Sequence, residues 1–117
     1  MNIEIPISVG ELVDKLTILE IKEEKIQDTN KLININNEYD ELTKLAIQLK
    51  NKNEEEYTKL FNELKTVNLK LWEIEDKIRI LESKKIFNEE FVELARSVYF
   101  TNDERFESKN KINKYFG

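Results

Sequence analysis

From Tyr57 onward the apolar residues fall at Leu60, Leu64, Val67, Leu71, Ile74, Ile78 and Leu81, in alternating steps of three and four with no polar residue on the seam. That spacing lays one apolar stripe along one side of a helix and holds a heptad rhythm for about three and a half repeats. Asn53 with Glu56 matches a capping box, Glu54 and Glu55 suit the positive end of the helix dipole, and neither Pro nor Gly intervenes before Lys85. The pattern predicts one helix over 54–84, about 45 Å long at 1.5 Å per residue. A helix of that length needs partners, which the flanking segments must supply.

Ile3, Ile5 and Ile7 alternate with polar residues and Pro6, which predicts a short extended arm over 1–8. Ser8 and Glu11 form a second capping box and open a helix over 9–27. Its Leu12, Val13, Leu16, Ile18, Leu19, Ile21 and Ile26 cover more than one stripe, so it should touch more than one neighbour. Asp28, Thr29 and Asn30 mark either a break or a kink. The stripe Leu32, Ile35, Tyr39, Leu42, Ala46, Leu49 restarts out of phase, which favours a separate helix over 30–50. The short connection Asn51 to Asn53 makes 30–50 and 54–84 antiparallel neighbours, with the hairpin tip at those residues. Asn88 with Glu89 and Glu90 opens a helix over 88–100 that carries Phe91, Leu94, Ala95 and Val98. Thr101 with Glu104 opens another over 102–116, with Phe106, Ile112, Tyr115 and Phe116. The expectation is one all-α domain over 1–117: an antiparallel, coiled-coil-like helical hairpin, additional short helices packed at its base around Trp72, and the extended N-terminal arm. With Phe61 counted, Tyr57, Leu60 and Leu64 need more cover than one helix gives, so a homodimer is expected.

Composition narrows the chemistry. Across 117 residues, 37% charged side chains, two Gly and one Pro suit long helices and leave too few turn residues for an all-β fold. The chain has no Cys and no His, which excludes disulfides, thiolate metal sites and every imidazole-dependent triad. Only carboxylates, Lys and Tyr remain as acid–base groups, and this weighs against an enzyme. Apolar runs are too short to span a bilayer and the start lacks a leader pattern, so a cytoplasmic protein with no membrane role is expected. The net charge is −5, but residues 96–117 hold five Lys/Arg against three Asp/Glu, or +2, leaving −7 for residues 1–95. A nucleic-acid partner is therefore disfavoured, and only the C-terminal end is suited to an anion.

The candidate anion site is Arg96, Tyr99, Asn102, Asp103, Arg105 and Lys109, where free N–H groups at the expected start of the last helix lie beside basic side chains. The competing structural role has Asn102 and Asp103 only capping while the basic groups pair with acids. Glu11, Asp14, Lys15, Asp76 and Arg79 form a possible supporting polar cluster. These features point to a non-catalytic module that binds a protein partner, a second copy or a small anion, with no cofactor. Glu20-x-x-Glu23 and Glu73-x-x-Asp76 resemble the paired motifs of all-α nucleoside-triphosphate pyrophosphatases, which implies magnesium held by Glu20, Glu23, Glu73 and Asp76. Leu71 to Lys85 also resembles the first helix of all-helical chorismate mutases, although Asp76-x-x-Arg79 is followed by Ile80 where that family has Glu.

Three stretches, ISVGELVDKLTILEIK (Ile7 to Lys22), VNLKLWEIEDKIR (Val67 to Arg79) and LARSVYFTNDERFESKNKIN (Leu94 to Asn113), together resemble a family of small uncharacterised bacterial proteins, a domain of unknown function. The resemblance covers nearly the whole chain and implies a cytoplasmic bacterial or phage protein, without implying an activity.

Overall fold

Four side-chain oxygens start the helices of this chain. Ser8 Oγ accepts from the Glu11 N–H, Asp28 Oδ1 from Asn30 and Lys31, Asn53 Oδ1 from Glu56, and Asn88 Oδ1 from Phe91. The computed structural model describes all residues from Met1 to Gly117 and is all-α, with α1 (Val9–Lys25), α2 (Thr29–Lys52), α3 (Glu54–Ser83) and α4 (Glu89–Phe116). The chain breaks over Ile26 to Asp28, so α1 and α2 are separate helices. Residues 1–8 precede the first helix and belong to no helix or strand, and Ile3, Ile5 and Ile7 are exposed. No helix is long and apolar enough to cross a membrane.

The break expected between residues 100 and 102 is absent, because Glu89–Phe116 is one continuous helix. The reason lies in the packing face. Leu94, Val98, Thr101, Arg105, Ser108 and Ile112 form one unbroken three-four row, and Thr101 is buried in the middle of it. A capping residue has to leave the helix, and a Thr held under α3 cannot.

The helical hairpin is built mainly from α3 and α4, which make the most extensive contact in the molecule. They run antiparallel: Lys70 pairs with Glu104, Glu63 with Lys111, and the Tyr57 ring meets Phe116 edge to face. The hairpin tip is therefore at Lys84 to Asn88, and α2 and α3 touch more sparsely. Helix α1 packs against all three others, and eight of its 17 residues are buried. The core joins Leu12, Val13 and Leu16 of α1 to Ala46, Leu49, Tyr57, Leu60, Leu64, Ile112 and Phe116. It sits at the Asn53 end of α3, not around Trp72, which is only half-buried. Tyr57, Leu60 and Leu64 thus receive their cover within one chain, from α1, α2 and Phe116, and they call for no second copy.

The turn at the tip has one strained residue. The Ile86 N–H donates to Leu81 O and the Lys85 N–H to Glu82 O, the paired bonds of a Schellman motif, with Lys85 at φ 54°. A left-handed backbone costs an L-residue about 1–2 kcal/mol, and the Lys85 side chain is exposed. Lys85→Gly should therefore stabilise the chain by about 0.5–1 kcal/mol, read as a rise in the urea midpoint.

Candidate functional site

Between α1, α3 and α4 the core gives way to polar side chains. Gly10, Asp14, Thr17 and Ile21 form one row of α1, and this row faces the other two helices. The buried Asp14 carboxylate accepts Arg105 Nε at 3.0 Å on Oδ1 and Arg105 Nη2 on Oδ2, a bidentate pair. Asn68 Nδ2 donates to Asp14 Oδ1 at 2.9 Å and to Thr17 Oγ1 at 2.8 Å, and Thr17 Oγ1 donates to the Asp14 carbonyl at 2.8 Å. Toward the start of α1, Lys109 Nζ meets Glu11 Oε1 at 2.8 Å and the Gly10 N–H donates to Asn113 Oδ1 at 2.7 Å. A side chain at position 10 has no room, since its Cβ would lie 2.7 Å from the Lys109 carbonyl oxygen. Burial alone would raise the Asp14 carboxyl, but hydrogen bonds from Arg105 and Asn68 and the positive charges of Arg105 and Lys109 together hold it below its ordinary 3.8. Asp14 is thus an ionised, fully engaged carboxylate that clamps α1 to the hairpin. Both of its oxygens are occupied, Oδ1 by Arg105 and Asn68 and Oδ2 by Arg105.

The residues of the expected anion site do not converge. Asn102 and Asp103 lie inside α4, where backbone N–H groups bond to carbonyls one turn earlier, so no open helix start exists there. Arg96 is exposed and reaches Glu93 at 3.5 Å, while Tyr99 stands in solvent. Arg105 and Lys109 point away from Arg96 and Tyr99, toward α1, where Asp14 and Glu11 neutralise them. Of the supporting cluster, Glu11 and Asp14 join this clamp and Lys15 is exposed. Asp76 and Arg79 pair with each other at 3.6 Å on the outer side of α3.

The carboxylates of the magnesium reading are likewise apart. Glu20 accepts Tyr39 Oη at 2.9 Å and Lys65 Nζ at 3.0 Å, and Lys65 also binds Glu24 at 2.8 Å. Glu23 and Glu73 are exposed, Asp76 is taken by Arg79, and no three carboxylates come close enough to share a cation. Asp76 and Arg79, the pair that resembled the chorismate mutases, form an ion pair within one helix on a solvated face. Beside Glu20, a recess of about 200 Å³ is lined by Leu16, Tyr39, Ala46, Ile47, Tyr57 and Phe61. The Tyr39 phenol is pushed up to about 12 by burial and by its bond to Glu20, and the Tyr57 phenol to about 12 by burial and the Glu20 charge. Both phenols stay protonated at neutral pH and keep an O–H to donate.

The surface that lacks cover is elsewhere. Beyond Asn68 on α3 and before Thr101 on α4 not one residue is buried, and α1 reaches this half only at its start, where Ile18 and Ile21 line a recess with Leu71, Trp72 and Glu75. Ile80, Phe87, Val92, Tyr99 and Phe100 are each half or more exposed there. Nothing in the sequence read residue by residue distinguished this half of α3 from the other, since one seam runs through both.

Four helices with a buried ionic clamp between α1 and α4 and a bare apolar hairpin end define an all-α protein. The chain belongs to DUF6165, a family of unknown function, which it matches over residues 1–116. No curated protein and no solved structure matches it.

Proposed function

We propose that this protein is a non-catalytic interaction module that offers the projecting half of the α3–α4 hairpin to a protein partner. One observation carries this reading: residues 69–100 hold no buried side chain, although large apolar groups are spread along both helices. A monomer gains nothing from such a bare hairpin, whereas a docking surface requires one. The small-anion alternative is less favoured, since Arg105 and Lys109 are already matched to Asp14 and Glu11 and an anion would have to displace a buried carboxylate.

The test is the pair Ile80→Glu and Phe87→Glu in one chain, both at exposed tip positions. Helical content and melting should stay within about 1 kcal/mol of wild type, as expected for surface changes. A protein retained by the immobilised wild-type chain should be lost from the variant. Retention that is indifferent to both substitutions would remove the hairpin from consideration.

A further inference from the structure

Helix α4 carries a second apolar stripe besides the row that packs on α3. Val92, Ala95, Tyr99, Asn102 and Phe106 recur in steps of three and four, and Val92, Tyr99 and Phe106 are 50%, 69% and 61% exposed. A heptad stripe with no partner in its own chain has the form of a helix–helix contact. We infer that this stripe docks a second copy of the chain, α4 against α4 and antiparallel, about a two-fold axis near residue 100, with Arg96 of each copy facing Asp103 of the other. The inference goes beyond the reading of the hairpin tip as a partner surface, since it concerns a separate stripe of α4 that includes neither Ile80 nor Phe87.

Charge selects this arrangement. Arg96 and Asp103 each follow a stripe position by one residue, so they lie along the same edge of the stripe. Antiparallel packing brings these edges together, and a two-fold axis produces the Arg96–Asp103 pair twice. The same register sets Ala95 against Phe106 and Tyr99 against Asn102, a smaller side chain against a ring in each layer. Sliding one heptad either way places Arg96 against Arg96 or Asp103 against Asp103. A parallel pairing puts both charges against Phe91 and Val98. Within the chain neither charge is well used: Arg96 reaches only Glu93 at 3.5 Å, and Asp103 forms no ion pair.

The purified chain supplies the test, by sedimentation at increasing concentration. Wild type should move from the 14.0 kDa chain mass toward twice that value. Arg96→Asp and Asp103→Arg each replace two attractive pairs by two repulsive ones and should weaken the dimer by roughly 10- to 100-fold. The decisive arm mixes the two single variants. One copy then carries Asp at both positions and the other Arg at both, so the mixture should recover the dimer that neither variant forms alone. Circular dichroism confirms that all three chains stay helical. A wild type that remains at 14.0 kDa, or single variants that dimerise as well as wild type, would overturn the inference. Either result leaves Ile80 and Phe87 untouched, so the partner-retention experiment still judges the hairpin on its own.

Discussion

Asp14→Ala is expected to destabilise the fold by about 3 kcal/mol, because it strands one half of a buried ion pair. Arg105 keeps its guanidinium between α1 and α4, where its side chain is 27% exposed, and Asn68 loses one of its two acceptors. Solvent reaches Arg105 in part, so the cost falls at the lower end of the range for removing one buried partner. Replacing both residues by Leu should recover most of the loss, since two buried charges are exchanged for apolar contact. Urea denaturation of the three chains at neutral pH checks the series. The clamp also gives stability a definite pH dependence. Because Asp14 sits below 3.8 in the fold, the unfolded chain takes up its proton first as pH falls. Its contribution is complete above that ordinary value and is lost as pH drops through the lower folded value. Asp14→Ala should flatten the acid limb of the stability profile below about pH 4 while leaving its shape above pH 5 unchanged.

The second large effect is Leu64→Ala, expected to cost about 3–4 kcal/mol with an unchanged denaturant slope. Leu64 is 0% exposed and lies in the cluster that unites α1, α2, α3 and α4. Ile78 belongs to the same heptad seam two repeats later, yet it is only half-buried and lies outside the core cluster. Ile78→Ala should therefore cost no more than about half as much, for a similar volume removed. Equal losses at the two positions would mean that the far half of the hairpin is covered in solution.

That contrast marks what periodicity discloses. The seam from Leu60 to Leu81, the caps at Ser8, Asn53 and Asn88 and the all-α class follow from local rules that act within one or two turns. The identity of the helix that covers each stretch does not, because it depends on where α1 lies, and α1 is placed by Gly10, Asp14 and Thr17. In a helix, Asp and Thr read as solvated decoration, and nothing local reveals that their partners stand on α3 and α4. The same effect split α4 in two. Its packing row carries Thr101, Arg105 and Ser108, polar residues that hid the row's continuity, while Thr101 and Glu104 imitated a capping box. The candidate site was legible as a set of charges, and Glu11, Asp14, Arg105 and Lys109 do meet. Their mutual neutralisation was not, since the expected break put Arg105 and Lys109 on a separate helix start.

The clamp between α1 and α4 also orders events during synthesis. Gly10 to Asn113 and Asp14 to Arg105 join residues 103 and 91 positions apart, whereas α3 and α4 are neighbours in sequence that meet through a five-residue turn, Lys84 to Asn88. Local contacts close faster than distant ones, so α3–α4 and α1–α2, each a pair of sequence neighbours, are the natural first structures, and the docking of α1 on α3 and α4 comes late. Until α4 has left the ribosome, the row of α1 that meets Arg105 and Asn113 has no complete site to enter. A chain stalled anywhere before Arg105 therefore lacks the ionic clamp, and its α1 is held by α2 and α3 alone.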